Sequence, residues 1–403
     1  MDERFSHLYA GRAREIKASI IRELLKMLLN PDIISFAGGW PDVETFPSDE
    51  MIEIATDVFR NKAGSAFQYG TSEGLAELRE ALAARARERE GIKGIDPDNI
   101  LIASGSQQAM ELAGRLLIDA GDVLLVGLPT YFGATGAFKI YRAHLDGVPV
   151  DGDGMQMDVL EEKVRHHQAA GRRVKMVYVQ TNFHNPMGVT LTLERRKRLL
   201  ELAETYDFIV MEDNPYGDLR YSGEPIPSLM ALDSNDRVIY ACSFSKILCP
   251  GIRLAWVAGE SALIRKMVVT KQFVDLCTNT ISQHLLSEFI HRGYLDKRIE
   301  LNIRHYRAKR DLMLEMLDKY FPSELIWTRP QGGFFIFVTL PEHLDAGALL
   351  KEAIGKEVVF VAGQPFFLDG SGRNTMRLSF TGAPADRIEE GIRRLGELIK
   401  SKV

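Results

Sequence analysis

The chain predicts an α/β fold on a mostly parallel sheet, and three observations carry that prediction. Between Asn99 and Val257, short β-rich runs alternate with helix-like stretches; the runs are apolar throughout; and polar, chemistry-bearing residues follow their carboxyl ends. Alternation of strand and helix is the pattern of a parallel sheet covered by helices. Strands without polar alternation are buried on both faces, and the carboxyl edge of such a sheet is where ligands gather.

Taken from the N-terminus, Ser19 to Leu29 reads as an amphipathic helix, followed by Ser35-Phe36-Ala37-Gly38-Gly39-Trp40-Pro41. Strands are predicted at 100–103, 123–126, 174–179, 208–211 and 238–241, where the runs are richest in Val, Ile and Leu. A long charged helix is predicted from Leu295 to Tyr320, leading to a second layer with strands at 334–338 and 376–380. Three regions follow: an N-terminal arm with part of a smaller unit (1–45), a large unit (46–294) and a smaller mixed unit (295–403). No internal repeat, low-complexity segment or Pro/Gly/Ser linker separates them.

Composition narrows the function classes. With 403 residues, 45% hydrophobic and 26% charged, the chain matches a globular protein too long for one ordinary core. A net charge of -5 offers no broad basic field, so nucleic acid is not an expected partner. No apolar stretch approaches membrane-spanning length and Met1-Asp2-Glu3-Arg4 is no signal-peptide core, so a cytoplasmic protein away from membranes is expected. Cys242, Cys249 and Cys277 lack Cys-x-x-Cys spacing and read as buried reduced thiols. Adjacent His166 and His167 diverge on a helix, and no metal centre is expected.

The chemistry-bearing residues begin with Lys246, which ends the run Val238-Ile239-Tyr240-Ala241-Cys242-Ser243-Phe244-Ser245-Lys246. A lysine with such apolar neighbours loses solvation and can serve as a neutral amine, as a Schiff base to an aldehyde cofactor requires. Ser243 and Ser245 precede it and Arg253 follows, a grouping that suggests a phosphate beside a reactive amine. The strand ending at Ala103 runs into Ser104-Gly105-Ser106-Gln107, a glycine turn opening a helix whose free N–H groups and dipole favour a phosphate. The strand at 208–211 delivers Glu212-Asp213-Asn214-Pro215-Tyr216 to the same edge. Asp213 reads either as a turn former or as a carboxylate that keeps a pyridine nitrogen protonated.

The block Ser243-Phe244-Ser245-Lys246 with Pro250-Gly251-Ile252-Arg253 resembles the cofactor-lysine segment of pyridoxal-phosphate aminotransferases of fold type I. Asn185-Pro186-Met187-Gly188 resembles the family's Asn-Pro-x-Gly loop, and the ordered set from Arg22 to Arg377 is most similar to the 2-aminoadipate, kynurenine and aromatic aminotransferase branch. This resemblance implies a large domain with a mostly parallel seven-stranded sheet between helices and a smaller α+β domain. It implies pyridoxal 5'-phosphate on Lys246, with Ser106, Gln107, Ser243, Ser245 and Arg253 at its phosphate and Tyr131 stacked on its ring. Asp213 would bind the ring nitrogen, and Asn185 and Tyr216 the 3-oxygen. Tyr69 would reach the phosphate of a neighbouring subunit, hence a homodimer. Arg377 would hold the substrate carboxylate, Gly38 and Gly39 would lie against the substrate, and Arg22 would be a movable helix arginine that reads its side chain.

The activity so implied moves the amino group of an aromatic, aliphatic or 2-aminoadipate-like L-amino acid to a 2-oxo acid such as 2-oxoglutarate, by a ping-pong mechanism. Lyases of the same fold share the pocket. Transcription regulators with an aminotransferase-like domain add a DNA-binding region, whereas here a short helix precedes Gly38 and Gly39. The sequence departs from the family pattern at Trp40, at Gln180-Thr181, at Met187 and at Ala362.

Overall fold

The computed structural model describes residues 3–14 and 32–403, so Arg22 and the helix predicted at 19–29 lie outside it. Strand β1 (Ile34–Ser35) precedes a large sheet made of β2 (Ile100–Ala103), β3 (Val123–Leu128), β4 (His144–Asp151), β5 (Gly154–Met155), β6 (Val174–Gln180), β7 (Ile209–Asp213), β8 (Val238–Ser243) and β9 (Ala255–Ala258). Their order is β2-β9-β8-β7-β6-β3-β4-β5. The pairs from β8 across to β4 are parallel. Strand β9 runs antiparallel to both neighbours.

The expected sheet has one strand more than seven, because the two-residue β5 turns back against β4 at the edge. Strands β4 and β9 lie outside the runs predicted as strands. Strand β4, His144-Leu145-Asp146-Gly147-Val148-Pro149-Val150-Asp151, is half-exposed and mixed in polarity. Strand β9, Ala255-Trp256-Val257-Ala258, is apolar and buried throughout, but its run directly follows Arg253 and reads in sequence as part of the lysine segment.

Burial explains the continuous apolar runs. Leu101, Leu124, Met176, Met211 and Ile239 pack on one face against Ala109, Met110, Phe138 and Met267 from the helices Ser106–Leu117, Phe132–Lys139 and Ser261–Gln272. Their neighbours Ile102, Leu125, Val177, Val210 and Tyr240 point the other way, into a core shared with Leu78, Leu82, Leu199 and Leu286. Successive side chains alternate across the sheet and both faces are apolar, so every position reads as hydrophobic. The three cysteines are free thiols, and of these Cys242 alone is buried, which corrects the expectation for Cys249 and Cys277.

The smaller unit holds an antiparallel sheet with β10 (Ile326–Trp327), β11 (Phe335–Thr339), β13 (Val361–Ala362) and β14 (Thr375–Ser379), in the order β10-β11-β14-β13. The remaining strand, β12 (Val358–Val359), pairs in parallel with β1, so chain from near the start is tied to chain from near the end. The helix Tyr294–Tyr320 spans 27 residues and packs Tyr306, Met313 and Leu317 against Ile388, Ile392 and Leu395 of the helix Ala385–Lys400.

The segment Asn185–Gly188 of the large unit rests on β11 of the smaller one. Gly188 has φ +71°, and a Cβ there would stand 2.5 Å from the Phe335 carbonyl oxygen. A side chain meets both a strained backbone and a backbone atom that cannot yield. Gly188→Ala is therefore expected to lower unfolding stability by about 2 to 4 kcal/mol. Chemical denaturation measures this, and an unchanged midpoint would mean that the loop is not held against β11.

Candidate active site

Three residues beyond β8, Lys246 turns its ammonium toward the segment that follows β1. Nζ donates to the Gly39 carbonyl oxygen at 2.7 Å and lies 5.9 Å from the centre of the Phe334 ring. Burial lowers its pKa to about 8, and the Arg377 and Arg253 guanidiniums push in the same direction while Asp213 opposes them. The lysine is thus a poised amine rather than a surface cation.

Asp213 ends β7 at the carboxyl edge of the sheet, buried. Its Oδ2 accepts the Tyr178 hydroxyl at 2.8 Å and the Gln180 amide Nε2 at 2.9 Å. Its Oδ1 is buried with no hydrogen-bond partner. Desolvation raises its pKa, and the two donors and Lys246 pull it back. A buried carboxylate with one filled oxygen and one bare one requires a further donor.

The turn between β2 and the helix Ser106–Leu117 forms a cradle. Gly105 has φ +87°, and a Cβ on it would come within 2.5 Å of Arg253 Nη2, so glycine alone admits the guanidinium at the helix start. Ser106 and Gln107 open that helix, whose first-turn N–H groups have no partner within it. Gln107 Nε2 donates to Gly133 O at 2.9 Å. Arg253 Nη1 donates to Ser245 Oγ at 3.4 Å, and Ser243 Oγ accepts the Ser245 N–H at 3.2 Å. Gln108 braces the turn, accepting Ser104 N–H at 2.8 Å and donating to Asp275 at 2.7 Å.

Arg377, on β14, is buried and reaches across from the smaller unit. Nη1 donates to Asn185 Oδ1 at 2.9 Å and Nη2 to Ala37 O at 2.7 Å. The guanidinium lies 4.1 Å from the centre of the Phe335 ring and 5.2 Å from that of Phe366. Burial lowers its pKa to about 10, with only the Tyr216 and Tyr131 phenols in its favour. Its Nε is buried without a partner. A desolvated guanidinium held by neutral acceptors is a receptor for a carboxylate. With its oxygen taken by Arg377, Asn185 has its amide nitrogen left to donate.

Tyr216 is buried against Phe334 and Phe335, and burial pushes its phenol well up. Tyr131 caps the helix Phe132–Lys139, and Gly133 makes room for it: a Cβ there would fall 2.3 Å from the Tyr131 ring. Burial raises the Tyr131 phenol too, with the Asp213 charge adding to the rise. Gly38 and Gly39 are glycine for packing reasons, since a Cβ would meet the Trp40 indole at 2.5 Å or the Phe335 ring at 2.7 Å.

The structure therefore brings Lys246, Asp213, Tyr216, Asn185, Tyr131, Arg253 and Arg377 close together. Tyr69 stands apart, 78% exposed, and Arg22 lies outside the described residues. Tyr178, Gln180, Phe334, Phe335 and Phe366 have no functional signal of their own in the sequence. Gln180 is visible there only as a departure from the family pattern.

A pyridoxal phosphate group fits this donor set on two independent observations. The bare Oδ1 of Asp213 is a place for a ring N–H, and the Gly105 turn with Arg253 is a place for a dianion.

Residues 31–395 match the family model described as aminotransferase class I and II. The chain is 48% identical over 399 residues to an aromatic-amino-acid aminotransferase of Thermococcus litoralis, covering 99% of this chain and 95% of the relative. It is 39% identical over 399 residues to a 2-aminoadipate transaminase of Thermus thermophilus, covering 98% and 97%. The crystal structure of Pyrococcus horikoshii kynurenine aminotransferase with pyridoxamine phosphate superposes with a TM-score of 0.95 at 45% identity, over 99% of this chain and 98% of that one.

The depressed lysine gives a direct expectation. In cofactor-free protein, trapping by a small aldehyde and borohydride is expected to label Lys246 with a half-maximum near pH 8. Ordinary lysines, with pKa about 10.4, label at markedly higher pH. Peptide mapping across pH reads this out, and a Lys246 midpoint no lower than that of the exposed lysines would show a solvated ammonium.

Proposed function

The chain belongs to the class I and II aminotransferases and is an enzyme that transfers amino groups on pyridoxal phosphate; from that premise we propose that its donors are aromatic, aliphatic or 2-aminoadipate-like L-amino acids. The acceptor is a 2-oxo acid, 2-oxoglutarate foremost, and donor and acceptor take turns at one site. The observation that carries this reading is Lys246, an amine lowered to about 8, set between the Asp213 carboxylate and the Arg377 guanidinium. Phe335 and Phe366 lie against the Arg377 guanidinium and suit apolar side chains, and the similar proteins are named for aromatic amino acids, 2-aminoadipate and kynurenine.

Bound pyridoxal phosphate supplies a cationic ring that withdraws electrons from the α-carbon of the amino acid joined to it. Lys246 would hold its aldehyde carbon, Asp213 its ring nitrogen, and Asn185 and Tyr216 its 3-oxygen. Ser106, Gln107, Ser243, Ser245 and Arg253 would hold its phosphate, with Tyr131 against the ring. Arg377 grips the substrate α-carboxylate and so orients the α-hydrogen. Lys246 Nζ takes that proton as a neutral amine and gives one back as an ammonium, and a pKa near the working pH serves both roles. Phe334 and Phe335 keep water from the amine.

We also propose a homodimer in which Tyr69 completes the neighbouring site. Phe67, Tyr69 and Phe273 are 62%, 78% and 82% exposed. Phe67 packs against Phe59, itself 44% exposed, with ring centres 5.3 Å apart, and the segment with Phe67 and Tyr69 is tied to the helix Thr280–His291 where Thr280 Oγ1 donates to Ala66 O at 2.8 Å. Clustered exposed aromatics of this kind fit a surface that a second copy covers.

Borohydride reduction of the loaded enzyme is expected to fix the cofactor to Lys246, and a label on another lysine would overturn the assignment. Arg377→Gln is expected to raise KM for the amino donor roughly a hundredfold, because substrate carboxylate and site lose a charge-assisted pair. Steady-state assays of glutamate formed from 2-oxoglutarate measure it, and an unchanged KM would remove Arg377 from substrate recognition. Sedimentation should report two chains per particle, and a monomer that keeps full activity would remove Tyr69 from the site.

A further inference from the structure

Gln180 is the last residue of β6, and its buried side-chain amide reaches two elements at once. Nε2 donates to Asp213 Oδ2 at 2.9 Å, and Oε1 accepts the Asn185 N–H at 2.9 Å. The orientation of the amide follows from its partners, since a carboxylate accepts and a backbone N–H donates. Tyr178 supplies the second donor to the same Asp213 oxygen at 2.8 Å. That oxygen is saturated, and the carboxylate is turned so that the bare one is Oδ1.

The bonds continue beyond Gln180. Asn185 Oδ1 accepts Arg377 Nη1, and Arg377 Nη2 donates to Ala37 O, two residues from the Gly39 carbonyl that holds Lys246. A connected path of short hydrogen bonds thus runs from the carboxylate of β7 to the guanidinium of β14, and the amide of Gln180 is its joint. An aliphatic side chain at 180 would leave a buried carboxylate oxygen short of a donor and a buried N–H without an acceptor.

We propose that Gln180 is a positioning residue for amino transfer: its amide turns Asp213 so that Oδ1 faces the cofactor ring nitrogen, and it ties the Asn185 loop to the same carboxylate. The contact to the ring nitrogen and the position of the Asn185 loop are then set by one side chain. This rests on the roles given above to Asp213, Asn185 and Arg377.

The groups facing Asp213 are Tyr178 on β6, Tyr131 before the helix Phe132–Lys139, Tyr216 after β7 and Lys246 after β8. The three phenols stay neutral because burial pushes each of them up. Lys246 favours the Asp213 charge. With one donor gone, the Asp213 carboxylate is less stabilised and more basic, so it draws the ring-nitrogen proton toward itself and the ring carries less positive charge. The nitrogen that joins lysine to cofactor then protonates more readily, so the pH midpoint of the visible absorption change moves up.

The test compares cofactor-loaded wild type, Gln180→Met and Gln180→Glu. Borohydride mapping of the wild type comes first: a label away from Lys246 overturns the site assignment itself, independently of Gln180. Given the label on Lys246, Gln180→Met, close in shape with no amide, is expected to raise the midpoint by about half to one pH unit. Its kcat should fall about tenfold while KM for the amino donor changes little, because Arg377 still meets the carboxylate. Gln180→Glu keeps an acceptor for Asn185 N–H but, once ionised, sets a second negative charge against Asp213 in place of a donor, so Asp213 becomes more basic and the midpoint rises at least as far. Midpoints equal to wild type in both variants overturn the proposal. A shift in Gln180→Met with none in Gln180→Glu overturns it too, because the Asn185 tether alone would then be the cause. Should Gln180→Met fail to fold, Gln180→Glu decides.

Discussion

The buried guanidinium of Arg377 is the constraint around which the site is organised. It is taken out of water onto the Phe335 ring and held by carbonyl oxygens of Asn185 and Ala37. Neutral acceptors take one hydrogen from each of Nη1 and Nη2, Nε has no partner, and the charge is left uncompensated. Such a charge is costly to bury. What offsets that cost is the packed frame of β11, β14 and the loop 185–188, which leaves the group no route back to water.

Other properties of the site follow from that charge. Together with Arg253, Arg377 depresses the Lys246 ammonium, which makes the lysine a base near neutral pH. The carboxylate that opposes them, Asp213, is itself short of one hydrogen-bond donor. A buried cation, a depressed amine and a half-satisfied acid lie close together out of water, with the exposed Arg253 at their edge. Such an arrangement weakens the empty fold and favours whatever brings an anion and a ring N–H into it.

The scaffold that tolerates this arrangement is stiff for simple reasons. Parallel strands buried on both faces fix the ends of β6, β7 and β8 relative to one another, and Asp213 and Lys246 inherit that precision. Glycines at 105, 133 and 188 stand where a Cβ would collide with Arg253, Tyr131 or the Phe335 carbonyl. They let two layers of functional groups approach more closely than side chains on both would permit.

By itself the sequence determined the mostly parallel sheet and, through its family resemblance, named Lys246, Asp213, Asn185, Tyr216, Arg253 and Arg377 as candidate site residues. Strand burial is written in continuous apolar runs, and those residues sit in short motifs whose order along the chain is distinctive. The tertiary structure decided the rest. Strand β4 is placed by its neighbours rather than by pattern. Tyr178 looks like core, and Gln180 looks like a deviation, until the fold sets them 35 and 33 residues away against one oxygen of Asp213. Arg377 meets Asn185 across 192 residues of chain. Local sequence records propensity and burial, whereas which donor fills which acceptor depends on strands brought together from distant parts of the chain.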